Sequence, residues 1–416
     1  MDSLPEDVER AVAVERVARS APAAAAIDRN GADHPGVAAV IRRRLAAMPA
    51  IARDLEQPWR LGEAAEASVA GQRIGPYRLV RVLGEGGMGR VYLAEQEQPV
   101  QRTVALKVVR PGLADGRLAQ RFDRERHTLA RLTHPDIARI YDAGATDDGQ
   151  QYFAMEYVDG EPLDEFCDAR SLGLTARLRL VCRVCEAVQH AHQKGVVHRD
   201  LKPGNILVTE AEGAPRVVVI DFGLARIVES LDDGGARFTE QGTMLGTPEY
   251  MSPEQADPRT GGDVDLRTDV YSLGVVLYEL LVGRLPLELA DPRPQGPRAV
   301  QGAGQEHHPL PPSRRLLDDG DRDEIAARRG VGSAARYARE LGPDLDWVVA
   351  KALAKEPDER YQGVGELLAD LERYLASEPV LAGPPSVAYR IKKLVRRHRG
   401  AVAAGAGARL AAGRAA

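Results

Sequence analysis

Three cysteines in 416 residues (Cys167, Cys182 and Cys185) are too few for a disulfide framework and point to a reducing compartment. Residues 1–30 mix acidic and basic charge throughout and hold no sustained apolar run, which argues against a secretory signal there. Ala401 to Ala416 is short, made largely of Ala and Gly, and interrupted by Arg409 and Arg414. It cannot span a bilayer, which needs about 20 predominantly apolar residues. Charge of one sign is also lacking: 56 Lys and Arg stand against 61 Asp and Glu, and a net charge of −5 gives no case for a nucleic-acid partner. Finally, no second CxxC and no suitable histidine pair accompanies Cys182-x-x-Cys185. Its cysteines lie one turn apart on the apolar face of a helical pattern around Leu178 to Val188, so they read as core rather than as metal ligands.

What is present is a series of phosphate-chemistry motifs. Tyr77 to Leu83 alternates like a strand and runs into Gly84-Glu85-Gly86-Gly87-Met88-Gly89-Arg90-Val91. Glycines at 84, 86 and 89 allow a hairpin to lie close over a triphosphate with its N–H groups facing oxygen. A dinucleotide site would need a helix directly after the glycines, whereas Val91-Tyr92-Leu93-Ala94 reads as another strand. Val104 to Val109 is a buried-looking strand with Lys107 inside it, and a charge there requires a partner. Leu118, Phe122, Leu129 and Leu132 recur at helical spacing, with Glu125 among them.

Further on, His198-Arg199-Asp200-Leu201-Lys202-Pro203-Gly204-Asn205 gathers a base, a lysine and an amide oxygen into one loop. A β-branched run, Val217 to Ile220, then ends in Asp221-Phe222-Gly223. A carboxylate at a strand end beside a loop carrying Asp and Asn suits magnesium bound to phosphates.

In this order the motifs resemble those of the eukaryotic-like bacterial serine/threonine protein kinases. The resemblance implies an α+β, two-lobed protein kinase fold: a small antiparallel sheet with one helix, then a larger helical lobe. It implies ATP under Leu83 and Gly84 to Val91, with Lys107 on the α- and β-phosphates and Glu125 holding that lysine. Met155 would be the gatekeeper and Val158 would offer backbone groups to adenine. Asp221 and Asn205 would hold magnesium, or manganese in its place. Asp200 would be the catalytic base and Lys202 would steady the γ-phosphoryl group, with Lys202 also the mark of serine/threonine specificity. Leu129, His198 and Phe222 fall where the family stacks a packing column, which makes His198 a packing residue rather than an acid or base.

The same resemblance assigns Asp221 to Glu254 as the activation segment, with Thr247 bridging Asp200 and Lys202. Arg199 beside Asp200 could grip a phosphorylated side chain in that segment. Thr243, and Thr239 with it, is the expected autophosphorylation site, which would involve self-association in trans. Asp269 would brace the catalytic loop and Arg360 would pair with Glu254. All of Lys107, Asp200 and Asp221 are present, which argues against a pseudokinase. The activation segment and docking loop argue against a small-molecule kinase. An interaction protein acting through its flanks is the remaining rival.

The expected organisation is therefore a helical or partly disordered lead-in (1–76), a kinase domain (77–375) and a basic tail (376–416). The Pro-, Gly-, Arg- and Asp-rich stretch from about 285 to 343 reads as an exposed, inserted loop with little packed core. Arg390, Lys392, Lys393, Arg396, Arg397 and Arg399 form a basic cluster that could lie against anionic lipid or be a solvated helix end. The segment resembles the juxtamembrane stretch of related kinases, which leaves a truncated chain or a soluble member as alternatives. The expected partners are proteins bearing Ser or Thr, and the expected location is the cytoplasm or the inner face of the membrane.

Overall fold

The strand-like alternation from Tyr77 onward is realised as a six-stranded sheet in the computed structural model, which describes residues 69–86, 89–109, 132–146, 149–211, 213–222, 248–256, 264–287, 309–384 and 386–397. The strands are β1 (Arg73–Ile74), β2 (Tyr77–Gly86), β3 (Gly89–Gln96), β4 (Arg102–Val109), β5 (Ile140–Ala145) and β6 (Gln151–Glu156), in the order β1-β2-β3-β4-β6-β5. That β3 follows the glycines at once excludes the strand-to-helix geometry of a dinucleotide site. β4 sits inside the sheet between β3 and β6, and Val104, Leu106 and Val108 are buried along it.

A second sheet is small but decisive for the site. β7 (Glu161–Pro162), β8 (Ile206–Ala211) and β9 (Ala214–Val219) pair in that order, with Ile206 opposite Val219. Antiparallel register therefore brings the residue before β8, Asn205, next to the residue after β9, Ile220. The Ile220 amide donates to the Asn205 carbonyl at 3.0 Å. Two loops remote in sequence meet at the open end of one hairpin.

The rest of the domain is helical: α1 (Leu163–Ala169), α2 (Leu174–Gln193), α3 (Pro253–Ala256), α4 (Arg267–Val282), α5 (Pro312–Asp318), α6 (Arg322–Arg328), α7 (Ala334–Ala352), α8 (Val364–Leu375) and α9 (Val387–Arg397). Almost every residue of α4 is buried, as expected of a helix apolar all round. Gly274 makes that possible on one side: a Cβ there would meet the Ala352 Cβ at 2.9 Å. Gly283 closes α4 in the left-handed conformation, its N–H bonded to the Glu279 carbonyl.

Two expectations about organisation need revision. The described part of the 285–343 stretch, from residue 309 onward, is not a loose insertion but folds into α5, α6 and the start of α7, with Leu316, Ile325, Tyr337 and Leu341 buried. Its polar composition misleads because arginines work inside. Arg329 is buried and donates to the carbonyls of Leu280 and Leu281, while Arg177 of α2 donates to Leu280, Leu172, Cys167 and Arg328. These guanidiniums satisfy carbonyls at the end of α4 that no helical partner reaches. The second revision concerns the tail: residues 377–384 and 386–393 continue the packed body rather than leave it at 375. The lead-in up to residue 68 lies outside the described residues.

Candidate active site

Asp200 stands at the centre of a tight local network. Its Oδ2 lies 3.2 Å from Lys202 Nζ and accepts from Asn205 Nδ2 at 3.0 Å. Asn205 Nδ2 also donates to the Asp200 carbonyl at 2.7 Å, which fixes the amide plane and turns Oδ1, a hard oxygen, the other way. Pro203–Asn205 forms a single 3₁₀ turn, which folds Asn205 back toward Asp200.

Across the hairpin end, Asp221 Oδ2 pairs with Lys107 Nζ at 2.8 Å. Burial alone would raise the Asp221 carboxyl, but the Lys107 charge and hydrogen bond, with His198 and Lys202 adding to them, hold it below the usual carboxylate range. Asp221 thus stays an anion at neutral pH. It also adopts a left-handed backbone (φ 63°), a strained conformation for a non-glycine residue. The residues on either side leave it little choice: Val219 pairs into β9, donates to the Asp136 carbonyl and accepts from Ala138, and Phe222 packs its ring 4.6 Å from that of His198.

His198 has a determinable role. Its Nε2 faces the Ile220 carbonyl at 2.9 Å, which can only accept, while its Nδ1 accepts the Asp200 amide at 3.2 Å. Both nitrogens are committed to backbone, so the imidazole ties one loop to the other. It is fully buried and cannot serve as acid or base.

The loop's shape is set from below by Asp269, near the start of α4 and 0 % exposed. One carboxylate oxygen accepts the His198 amide and His192 Nε2, each at 2.8 Å; the other accepts the Arg199 amide at 2.8 Å. Burial pushes this carboxyl up, yet the hydrogen bond and charge of His192, the charge of His198 and the backbone N–H outweigh it, and the group is held below its ordinary value. Arg199 is the second left-handed residue (φ 69°). It is gripped on both sides, its N–H by Asp269 and its carbonyl by Gln255 Nε2 at 2.9 Å.

Gln255 belongs to α3, which is itself anchored. Glu254 takes both ends of the Arg360 guanidinium at 2.7 and 2.8 Å and accepts from Thr268 Oγ1 at 2.8 Å. Burial would raise Glu254, but this fork lowers it. Tyr250, just upstream, donates its hydroxyl to Glu279 at 2.6 Å. Burial pushes Glu279 up to about 7, the tyrosine bond opposes this, and Asp164 and Asp168 add to it.

The remaining expected nucleotide-site residues are placed as follows. Leu83, Gly84, Glu85 and Gly86 end β2, with Gly86 and Glu85 exposed; Gly89, Arg90 and Val91 open β3. At Gly89 (φ 149°) a Cβ would sit 2.0 Å from the Val108 carbonyl oxygen, so no other residue fits. Val91 stands opposite Lys107 in the β3–β4 register. Met155 is buried near the end of β6 opposite Ala105, and Val158 follows in the irregular linker. That linker lies hard against β8, where a Cβ on Gly160 would meet the Val208 carbonyl at 2.9 Å. Gly87, Met88, Glu125, Leu129, Thr239, Thr243 and Thr247 lie outside the described residues. Among the described residues the partner of Lys107 is Asp221.

The cysteines conform to the core reading. All three are buried free thiols, and burial drives Cys167 up to about 11 and Cys182 to about 12. Among the described residues no cluster of three or more His, Cys, Asp or Glu could hold a metal by itself. His192 and Gln255 escaped the sequence reading. For His192 a signal existed, since a histidine near the end of an otherwise apolar helix face must find a buried partner.

Against this geometry stand the similarities to known proteins. The family model "Protein kinase domain" matches residues 77–361. The chain belongs to the protein kinase family. Within it, its kind is the bacterial, eukaryotic-like serine/threonine protein kinase. It is 40% identical over 302 residues to serine/threonine-protein kinase PknB of Mycolicibacterium smegmatis, covering 71% of this chain and 42% of that one. It is 37% identical to serine/threonine-protein kinase pkn3 of Myxococcus xanthus, covering 71% and 49% respectively. The chain thus spans less than half the length of these relatives. Among solved structures it is similar to the Mycobacterium tuberculosis PknI kinase domain, at a TM-score of 0.50 and 29% identity over 73% of this chain and 98% of that one.

Proposed function

We propose that this chain transfers the γ-phosphate of ATP to serine and threonine hydroxyls of proteins in bacterial signalling, and that it first phosphorylates Thr243, with Thr239, on its own activation segment. The observation that carries this reading is the meeting of two charged groups at the hairpin end: the Lys107–Asp221 pair on one side and Asp200 with Lys202 and Asn205 on the other.

The donor set fits magnesium or manganese. Asp221 is a carboxylate kept ionised, and Asn205 presents an amide oxygen whose orientation is fixed by Asp200. Two hard oxygen ligands with phosphates and water completing the shell is the usual arrangement for this ion, and it explains why the protein alone offers no larger cluster among the described residues. Bound there, such an ion supplies neutralisation of phosphate charge.

The chain's own residues then divide the work. Lys107 binds phosphate oxygens of ATP. Asp200 orients the acceptor hydroxyl and takes its proton as the new O–P bond forms and the bond from the γ-phosphorus to ADP breaks. Lys202, 3.2 Å from Asp200, offsets charge on the group in transfer. With a loose transition state, positioning and electrostatics dominate over base strength. We place the reaction in the cytoplasm, and self-association would deliver one activation segment to another copy.

The test is incubation of the purified chain with labelled ATP and magnesium, beside Asp200→Asn, with phosphopeptide mapping. Label on Thr243 or Thr239 that vanishes in the variant supports the whole reading. An active enzyme with no phosphate on this segment would remove the autophosphorylation step. Absence of transfer to any protein would remove the kinase reading itself.

A further inference from the structure

The segment beyond α8 is fastened to the helical body by two buried aspartates. Asp370, in α8 and 0 % exposed, accepts the amides of Leu381 (2.7 Å, Oδ1) and Ala382 (2.8 Å, Oδ2), the Tyr361 hydroxyl (3.0 Å) and Arg373 (3.1 Å). Asp344, buried in α7, forms an ion pair with Lys393 of α9 and accepts the Tyr389 hydroxyl at 2.9 Å. Tyr389 in turn accepts the Val380 amide at 3.1 Å and sets its ring edge-on to Trp347, 5.4 Å between centroids. Val380 is buried, and a Cβ on Gly383 would strike the Trp347 ring at 2.8 Å. The strap is thus locked in one position, and with it the rotation of α9.

That lock spends one face of α9, Tyr389 and Lys393, on the body and turns the other outward. Val387 is 72 % exposed and Ile391, one turn on, 55 %; Leu381 of the same strap is 68 % exposed. Val387 and Leu381 are the most exposed large apolar side chains among the described residues. Arg390 is exposed between Val387 and Ile391. By sequence α9 carries Arg390, Lys392, Lys393, Arg396 and Arg397 and no acidic residue, and none follows Glu378 anywhere in the chain. An outward apolar pair with an exposed arginine between them, on a helix whose charged residues are all basic by sequence, is the chemistry of a helix lying in a lipid interface, apolar side chains at the acyl boundary and cations at anionic headgroups.

We propose that the outward face of α9, centred on Val387, Arg390 and Ile391, docks the helical lobe onto an anionic lipid surface, with the Asp370 and Asp344 anchors fixing the angle at which the domain meets it. This surface is distinct from the phosphate-transfer residues and stands whether or not the proposed activity does. A basic patch alone would suit nucleic acid equally; the exposed aliphatic pair is what favours lipid.

The test is sedimentation of the purified chain with phosphatidylcholine vesicles and with vesicles in which a third of the lipid is phosphatidylserine. The expected result is binding to the second kind alone, released by high salt, and weakened about tenfold by Val387→Glu or Ile391→Glu. Both positions are exposed, so melting temperature and kinase activity should match the unaltered chain. Several results would overturn the proposal: no sedimentation with the anionic vesicles, equal binding to the neutral ones, or binding that ignores both substitutions. So would tighter capture of duplex DNA than of vesicles, or substitutions that convert a dimer to a monomer while leaving sedimentation unchanged.

Discussion

Asp269 and Asp370 are the same device put to different ends. Each is a fully buried aspartate on a helix, and each accepts two consecutive backbone amides from a segment distant in sequence: His198 and Arg199 for Asp269, Leu381 and Ala382 for Asp370. The third partner differs. Asp269 has a buried histidine, His192, whereas Asp370 has the Tyr361 hydroxyl and a half-exposed arginine, Arg373. What they hold differs more. The first stabilises a left-handed Arg199 directly beside Asp200, so that strain is stored where chemistry is proposed; the second fastens a strap with no part in that chemistry. A buried carboxylate with several donors is thus evidence of a backbone segment that must be held. Only the segment held says whether the purpose is catalysis or attachment.

The largest expected effect lies across the hairpin end from the loop that the first device supports. Asp221→Asn keeps the side-chain shape but removes the charge facing Lys107, and phosphate transfer should fall by about 10²–10³, as for loss of one preorganised electrostatic contact. Steady-state kinetics at saturating ATP and magnesium would check this, with circular dichroism confirming the fold. Next comes the strap. Asp370→Asn leaves the Leu381 and Ala382 amides short of an acceptor and Arg373 without its counter-charge, and should cost about 2–4 kcal/mol in denaturant unfolding. Turnover at a temperature where the variant is folded should stay within about twofold of the parent, since the hydrogen bonds of Asp370 go to the strap, Tyr361 and Arg373 and to none of the phosphate-transfer residues.

Between the two devices lies α4 itself. Gly274→Val would drive side-chain atoms into Ala352 and Leu353, and this overpacking should cost about 1–3 kcal/mol, read as a lower melting temperature. If transfer fell in proportion to the Asp221 variant, stiffness of α4 rather than the Asp269 contacts would be setting the loop. The same helix also carries a pH dependence. Asp269 is held charged, while Glu279 is pushed up to about 7. Because its folded value lies above the usual one, the contribution of Glu279 to stability is fully present below about 4.5 and is lost as pH rises toward about 7. Glu279→Gln, which can still accept the Tyr250 hydroxyl, should therefore gain stability relative to the parent over that interval. Parallel urea titrations at successive pH values would show it, and parallel curves without divergence would contradict it.

Much of the site was legible because its residues sit in contiguous runs. Asp200, Lys202 and Asn205 share one loop, Asp221 ends a β-branched run, and Lys107 is the one charge inside an apolar strand; the structure gathers all five at one hairpin end. The long-range polar partners were harder to see. A composition rich in Arg and Asp reads as surface, yet Arg177 and Arg329 lie inside the body and cap α4, and the part of the supposed 285–343 loop described from residue 309 onward forms three packed segments. Likewise Lys393 sat in a basic run that suggested solvent or lipid, but it pairs inward, with Asp344. Local pattern records which face of an element is apolar; it does not record which buried carboxylate an amide from elsewhere will find. His192, Gln255, Asp344 and Asp370 were missed for that reason.

The most direct test of this account is to compare Asp269→Asn with Asp370→Asn by kinetics and amide hydrogen exchange on the same preparations. Asparagine at 269 keeps an oxygen for one amide and loses the charge that serves His192. Turnover should drop by about 10²-fold while exchange quickens mainly at His198 and Arg199. The Asp370 variant should keep its turnover and quicken exchange at Leu381 and Ala382 alone. Equal losses of turnover in both variants, or a fully active Asp269→Asn enzyme, would contradict the claim that the first anchor serves catalysis and the second only attachment.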